Sequence, residues 1–138
     1  MGTDGLDRPR LRRVAPVLCW ATVLVVASVI PASGGLSAPG PFGVGADKWL
    51  HLGGYWSVTL LAAVALEARG RRTLLLAVAF GVALGAGLEL VQAALPARAF
   101  DPADAAVNGV GAVLGAVTYV LWRRVRDARG GRPGNDGG

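Results

Sequence analysis

The chain has 138 residues, of which 53% are hydrophobic, and its formal net charge at pH 7 is +5. The apolar residues occur in long, nearly uncharged runs, which is typical of membrane proteins and excludes an ordinary soluble domain. The basic residues flank these runs and form no domain of their own. They therefore indicate membrane topology and contact with anionic lipid, and we predict no nucleic-acid partner.

Four apolar segments are long enough to cross a membrane as helices. About 20 mostly apolar residues in a helix span the roughly 30 Å of hydrocarbon in a bilayer. The predicted spans are 14–32, 49–66, 73–95 and 104–122. The sequence thus predicts an all-α polytopic membrane protein built as a bundle of four transmembrane helices. Its predicted parts are a basic N-terminus at 1–13, the membrane domain at 14–122 and a disordered basic tail at 123–138.

The placement of arginine predicts the orientation. Arginines cluster within residues 8–13, 69–72 and 123–132, whereas the other two loops hold only Lys48 and Arg98. Cytoplasmic loops are enriched in basic residues, so we expect both termini in the cytoplasm and a multi-pass protein of the plasma membrane. The first segment also has the charged start, apolar middle and small-residue end of a signal peptide. Its apolar part is longer than a typical signal core, which favours an uncleaved span over a cleaved one.

Small residues in the fourth segment predict close helix packing. Gly111 and Gly115 form a G-x-x-x-G pattern, in which the two glycines lie on one helix face. Such a pattern occurs both where two helices of one chain pack together and where helices of identical chains form a homo-oligomer. We favour contact within the chain.

The unusual polar residues all lie on the side of the membrane predicted to face outward. Residues three or four apart lie on the same face of a helix, and the polar residues within each segment have this spacing. They are Asp47, His51 and Tyr55 in the second segment, Glu89 and Gln92 in the third, and Asp104 and Asn108 in the fourth. The candidate site consists of Asp47, Lys48, His51, Tyr55, Glu89, Gln92, Arg98, Asp104 and Asn108.

Glu89 is the most informative of these residues. It lies about 9 Å inside the end of its predicted span at 1.5 Å of rise per residue. A carboxylate at that depth is costly unless it is paired, protonated or facing a polar cavity. The other residues have ordinary explanations as well: Asp47 and Asp104 could cap their helices, and His51 could be a hydrogen-bonded structural histidine.

The stretches "DKWLHLGGYW" and "GLELVQAALPARAFDPADAAVNGVGAVLG" resemble the VanZ-like family of small bacterial and archaeal membrane proteins. The resemblance covers residues 45 to about 115. A longer link after Arg98 departs from the family pattern and leaves open whether Asp101 or Asp104 is the equivalent acid; the spacing to Asn108 favours Asp104. The matching positions are Asp47, Lys48, His51, Tyr55, Glu89, Gln92, Pro96, Arg98, Asp104, Asn108, Gly111 and Gly115. The name-giving member is associated with resistance to teicoplanin, which implies a role in the cell envelope or in antibiotic resistance but no particular reaction.

Three functions fit these residues. The first is an outward-facing pocket that binds a lipid head group, an amphiphile or a lipid-linked envelope intermediate, with Lys48 and Arg98 attracting phosphate or carboxylate. The second is an enzyme that uses His51 and Glu89 as acid and base. The third is purely structural, with the charged residues locking the helices together.

We predict no cofactor. We also predict no metal, because the chain has a single histidine. Two carboxylates with His51 could nevertheless hold iron or manganese, and this set is kept as a minor alternative.

Overall fold

The computed structural model describes residues 8–30, 40–95 and 102–130, and these ranges are helical throughout apart from short connections. A 3₁₀ turn at Pro41–Gly43 precedes the second helix. The described residues contain no strand, which confirms the all-α prediction. The helices are α1 (Arg8–Val29), α2 (Ala46–Ala65), α3 (Arg71–Ala93) and α4 (Pro102–Gly130).

Three of the helices, α1, α3 and α4, are long and apolar enough to cross a membrane. α2 has 20 residues, which is sufficient in length, since a helix rises about 1.5 Å per residue and the hydrocarbon core is about 30 Å thick. It is too polar to qualify, because it carries Asp47, Lys48 and His51 near its start and Thr59 near its middle. α2 packs against each of the other three helices. Its polar side chains can therefore face protein instead of lipid.

Glycines bring α4 and α3 close to α2. A Cβ atom at Gly111 would lie 2.5 Å from the backbone oxygen of Leu52, and one at Gly115 would overlap the backbone oxygen of Trp56. On α3, a Cβ atom at Gly81 would overlap the hydroxyl of Thr59. The G-x-x-x-G pair therefore serves contact within one chain, the first of the two uses that the sequence allowed.

The helices differ from the predicted boundaries at both ends of the chain. α1 begins at Arg8, inside the predicted basic N-terminus, and α4 continues to Gly130. The prediction of disorder for 123–138 is therefore wrong for 123–130, while 131–138 lie outside the described residues. Side-chain contacts one turn apart extend α4: Arg123 lies 3.9 Å from Asp127, and the Arg126 guanidinium lies 4.8 Å from the centre of the Trp122 ring.

Candidate functional site

The predicted site residues meet at one end of the helix bundle. This polar end is formed by the first turns of α2 and α4 and the last turns of α1 and α3. The described site residues that gather there are Asp47, Lys48, His51, Tyr55, Glu89, Gln92, Asp104 and Asn108. Arg98, Asp101 and Pro96 lie outside the described residues, so their placement stays a prediction.

An ion pair joins the starts of α2 and α4. The Lys48 ammonium donates a hydrogen bond to Oδ1 of Asp104 at 2.6 Å, and it lies 3.7 Å from Oδ2 of Asp47. Asp47 is in the first turn of α2, whose N-cap is Gly45, and its charge suits the positive end of the helix dipole. The Lys48 charge is thus already balanced by carboxylates, which weakens its predicted attraction for a free anion.

A second contact between α2 and α4 fixes the histidine ring. Nδ1 of His51 lies 3.0 Å from Oδ1 of Asn108, whose side chain is buried. An amide oxygen can only accept, so Nδ1 is the donor and carries the proton in this arrangement. Nε2 of the ring faces the other side, where Oδ2 of Asp104 lies 3.8 Å away.

Glu89 completes the group from α3. Its side chain is only 1% exposed, yet a ligand atom from each of His51, Glu89 and Asp104 lies within 4.8 Å of the other two. Sequence reasoning identified these residues but could not establish that they touch. The structure therefore brings together one imidazole and two carboxylates at the centre of the polar end.

Gly85 makes room for this arrangement one turn before Glu89. A Cβ atom at Gly85 would lie 3.1 Å from the Tyr55 ring and 3.1 Å from Cβ of Asn108. The absence of a side chain lets both residues pack against α3. Tyr55 in turn stacks on His51, with ring planes 14° apart and ring centres 6.4 Å apart.

A small cavity opens beside His51, between α1, α2 and α3. Its volume is about 120 Å³, whereas pockets for drug-sized ligands measure about 300–1,000 Å³. It can therefore hold a small polar group but not a whole amphiphile. Its lining residues include Ser28, Asp47, His51, Tyr55 and Gln92.

Gln92 links this cavity to α1. Its amide donates a hydrogen bond to the backbone oxygen of Ser28 at 3.2 Å, and its side chain is 5% exposed. Sequence reasoning missed Ser28, because it contributes a backbone carbonyl and no residue pattern identifies such a group. The first helix is thus part of the site as well as a membrane anchor.

The opposite end of the bundle is rich in arginine and holds a cleft of about 400 Å³. The sequence indicated these arginines only as topology signals. Several are engaged with the protein: Arg13 pairs with Glu67, and Arg123 donates to the backbone oxygen of Ala68 at 3.0 Å. Basic and polar groups therefore occupy opposite ends of the bundle, as the sequence analysis expects of an inside and an outside.

Comparison with known proteins gives one match. The model of the family described as VanZ/LLP1 matches residues 14–123, which is most of the chain and includes every described residue of the polar end. No curated protein and no solved structure matches the chain.

Proposed function

This chain belongs to the VanZ/LLP1 family, and we propose that it binds the polar head group of a membrane lipid or lipid-linked envelope intermediate at its polar end. In this proposal all four helices cross the plasma membrane, with α2 in the middle of the bundle, and both termini lie in the cytoplasm. The polar end then faces outward, and the protein acts in the cell envelope, including roles of the glycopeptide-resistance type.

The observation that carries this proposal is the convergence of polar side chains from three helices beside a small cavity. Glu89, Gln92 and Asn108 are each at most 5% exposed. Buried polar groups are costly unless they have partners, and a purely structural lock needs fewer of them. The cavity beside His51 is lined by Gln92 and is open enough for a phosphate, hydroxyl or amide group of a ligand to enter.

A second function is favoured by one specific observation. His51, Glu89 and Asp104 are close enough to exchange protons with a substrate held between them. An enzyme acting on a lipid-linked substrate would use the same polar end. Mass action separates the two functions, because a binding protein acts in proportion to its amount whereas an enzyme acts at substoichiometric levels.

The Tyr55 hydroxyl provides a test that leaves the ring in place. Tyr55→Phe keeps the ring that stacks on His51 and removes the hydroxyl of a residue that lines the cavity. We expect this variant to retain about fivefold less bound lipid, since one hydrogen bond contributes about 1 kcal/mol. Native mass spectrometry of the protein in mild detergent measures the lipid retained.

Tyr119→Phe is the matched control, because Tyr119 is the chain's other tyrosine, is equally buried and lines the cleft at the opposite end. It should retain lipid as the wild type does. Equal retention by all three proteins would count against a head group in the cavity.

A further inference from the structure

We infer that His51, Glu89 and Asp104 bind a divalent metal ion, with Mn²⁺ as the best match, through Nε2 of the imidazole and one oxygen of each carboxylate. The inference rests on the proposed function for the role of the ion, which is to hold a phosphate oxygen of the head group. It departs from the sequence prediction of no metal.

The ligand spacing fits a single ion. Ligand atoms bound at about 2.0–2.2 Å lie roughly 3 to 4.4 Å apart, depending on the angle between them. Nε2 of His51 and Oδ2 of Asp104 are 3.8 Å apart, and one possible ligand atom from each of the three residues lies within 4.8 Å of the other two. Shifts of a few tenths of an ångström would complete the coordination.

The hydrogen bond between His51 and Asn108 orients the imidazole toward the carboxylates. Because Nδ1 is held by Oδ1 of Asn108, Nε2 is the ring nitrogen that faces Asp104, and it lies 3.8 Å from Oδ2 of that residue. Metal-binding histidines have this arrangement, in which the nitrogen that does not bind the metal donates to a fixed oxygen.

Asp104 is oriented in the same way. Its Oδ1 accepts from Lys48 at 2.6 Å, which leaves Oδ2 directed toward His51. Hydrogen bonds to the free oxygen of a carboxylate ligand are a regular part of metal sites. Lys48 is therefore assigned here as a positioning residue for Asp104.

The chemistry of the donor set selects the ion. Carboxylates suit Mg²⁺, Ca²⁺ and Mn²⁺, whereas imidazole suits transition metals, so one imidazole with two carboxylates favours Mn²⁺ or Fe²⁺. Three protein ligands leave coordination positions open. A phosphate oxygen can occupy one of them, which explains how a polar end that holds several carboxylates could accept an anionic head group.

Mn²⁺ titration of the metal-stripped protein tests this inference. The protein in detergent is treated with EDTA, exchanged into chelator-free buffer and titrated with MnCl₂, and free Mn²⁺ is followed by its electron paramagnetic resonance signal. We expect one Mn²⁺ per chain, and electron spin echo measurements should detect coupling to the nitrogen of His51.

Glu89→Gln and His51→Gln should weaken Mn²⁺ binding at least tenfold, and His51→Gln should remove the nitrogen coupling. Glu67→Gln makes the same chemical change as Glu89→Gln at the opposite end, and Asp127→Asn neutralises another carboxylate there, so both variants should bind as the wild type does. No stoichiometric Mn²⁺ in the wild type, or equal binding by site and control variants, would overturn the inference.

Two substitutions of Asn108 distinguish a role in positioning the His51 ring from a purely structural role. Asn108→Ala removes the acceptor for Nδ1 of His51 and should weaken Mn²⁺ binding about 10- to 100-fold. Asn108→Asp retains an acceptor and should keep most of the affinity. If Asn108→Asp weakens binding as much as Asn108→Ala, the hydrogen bond does not orient the ring as inferred.

The metal site and head-group binding can be contradicted independently. Lipid retention measured before and after EDTA distinguishes them: stoichiometric Mn²⁺ with no specific lipid would contradict the proposed function and leave the metal site standing. Specific lipid retained fully after EDTA, without Mn²⁺ binding, would contradict the metal site and leave head-group binding standing.

Discussion

Replacing Glu89 by glutamine should abolish specific lipid binding while the bundle stays folded. The variant keeps the size and shape of the side chain, replaces one acceptor oxygen by an amide donor and removes the charge. If the charge serves the ligand and not the packing of the helices, the neutral isostere should melt at the same temperature as the wild type or higher. The two readouts are the melting temperature of the purified protein and its increase when lipids extracted from the host membrane are added.

The structural explanation predicts the opposite result. If Glu89 only locks the helices, the glutamine variant should lose folded protein, because breaking a buried ion pair costs about 3–5 kcal/mol. Glu67→Gln is the control, since Glu67 pairs with Arg13 at the other end and is half exposed. That variant should respond to lipid as the wild type does.

Replacing Gly115 by leucine should disrupt the packing of α4 against α2 and destabilise the protein. A Cβ atom at this position already overlaps the backbone oxygen of Trp56 and lies 3.1 Å from the backbone nitrogen of Leu60. Backbone atoms cannot move aside as a flexible side chain can, so we expect a loss of stability above the 1–3 kcal/mol typical of overpacking. Thermal denaturation in detergent measures it.

Gly109→Leu provides the same substitution on the same helix in open space, because nothing lies within 4 Å of a Cβ atom there. It should leave the melting temperature unchanged or raise it, since leucine favours helix more than glycine does. Equal destabilisation by both variants would show that α4 packs on a different face from the one described.

The sequence predicted the helices well because long apolar runs admit few alternatives in a membrane. It also identified Gly111 and Gly115 as a packing face. It did not reveal that α2 lies in the middle of the bundle, because that depends on which helices surround it. The polarity of α2 itself was the available signal: a helix with Asp47, Lys48 and His51 in its first two turns is best placed among other helices.

The sequence predicted which candidate residues share a helix face, but not which of them lie close together. Spacing put Glu89 and His51 on defined faces of their helices, yet the rotation of one helix against another depends on packing at positions such as Gly85. The Lys48–Asp104 pair shows the same limit. Both residues were candidates, but one was expected to attract an anion and the other to cap a helix, whereas the structure pairs them.

The end of α4 shows a second kind of limit. Its last residues, 123–130, are mostly charged, and composition alone favoured disorder there. Contacts between residues one turn apart, such as Arg123 with Asp127, extend the helix beyond the apolar segment. Side-chain pairs of this kind contribute only about 0.2–0.5 kcal/mol each, so they are easily outweighed in a prediction from composition.

Photo-cross-linking from the cavity wall tests the central claim most directly. A benzophenone amino acid replaces Leu50, which lines the cavity beside His51 and is 61% exposed, and in a second protein it replaces Leu121, which is 54% exposed on α4. After irradiation in membranes, mass spectrometry identifies the lipids attached at each position. The account predicts one head-group class enriched at position 50 over the bulk membrane, and bulk composition at position 121. Bulk composition at both positions would contradict a head-group site at the polar end.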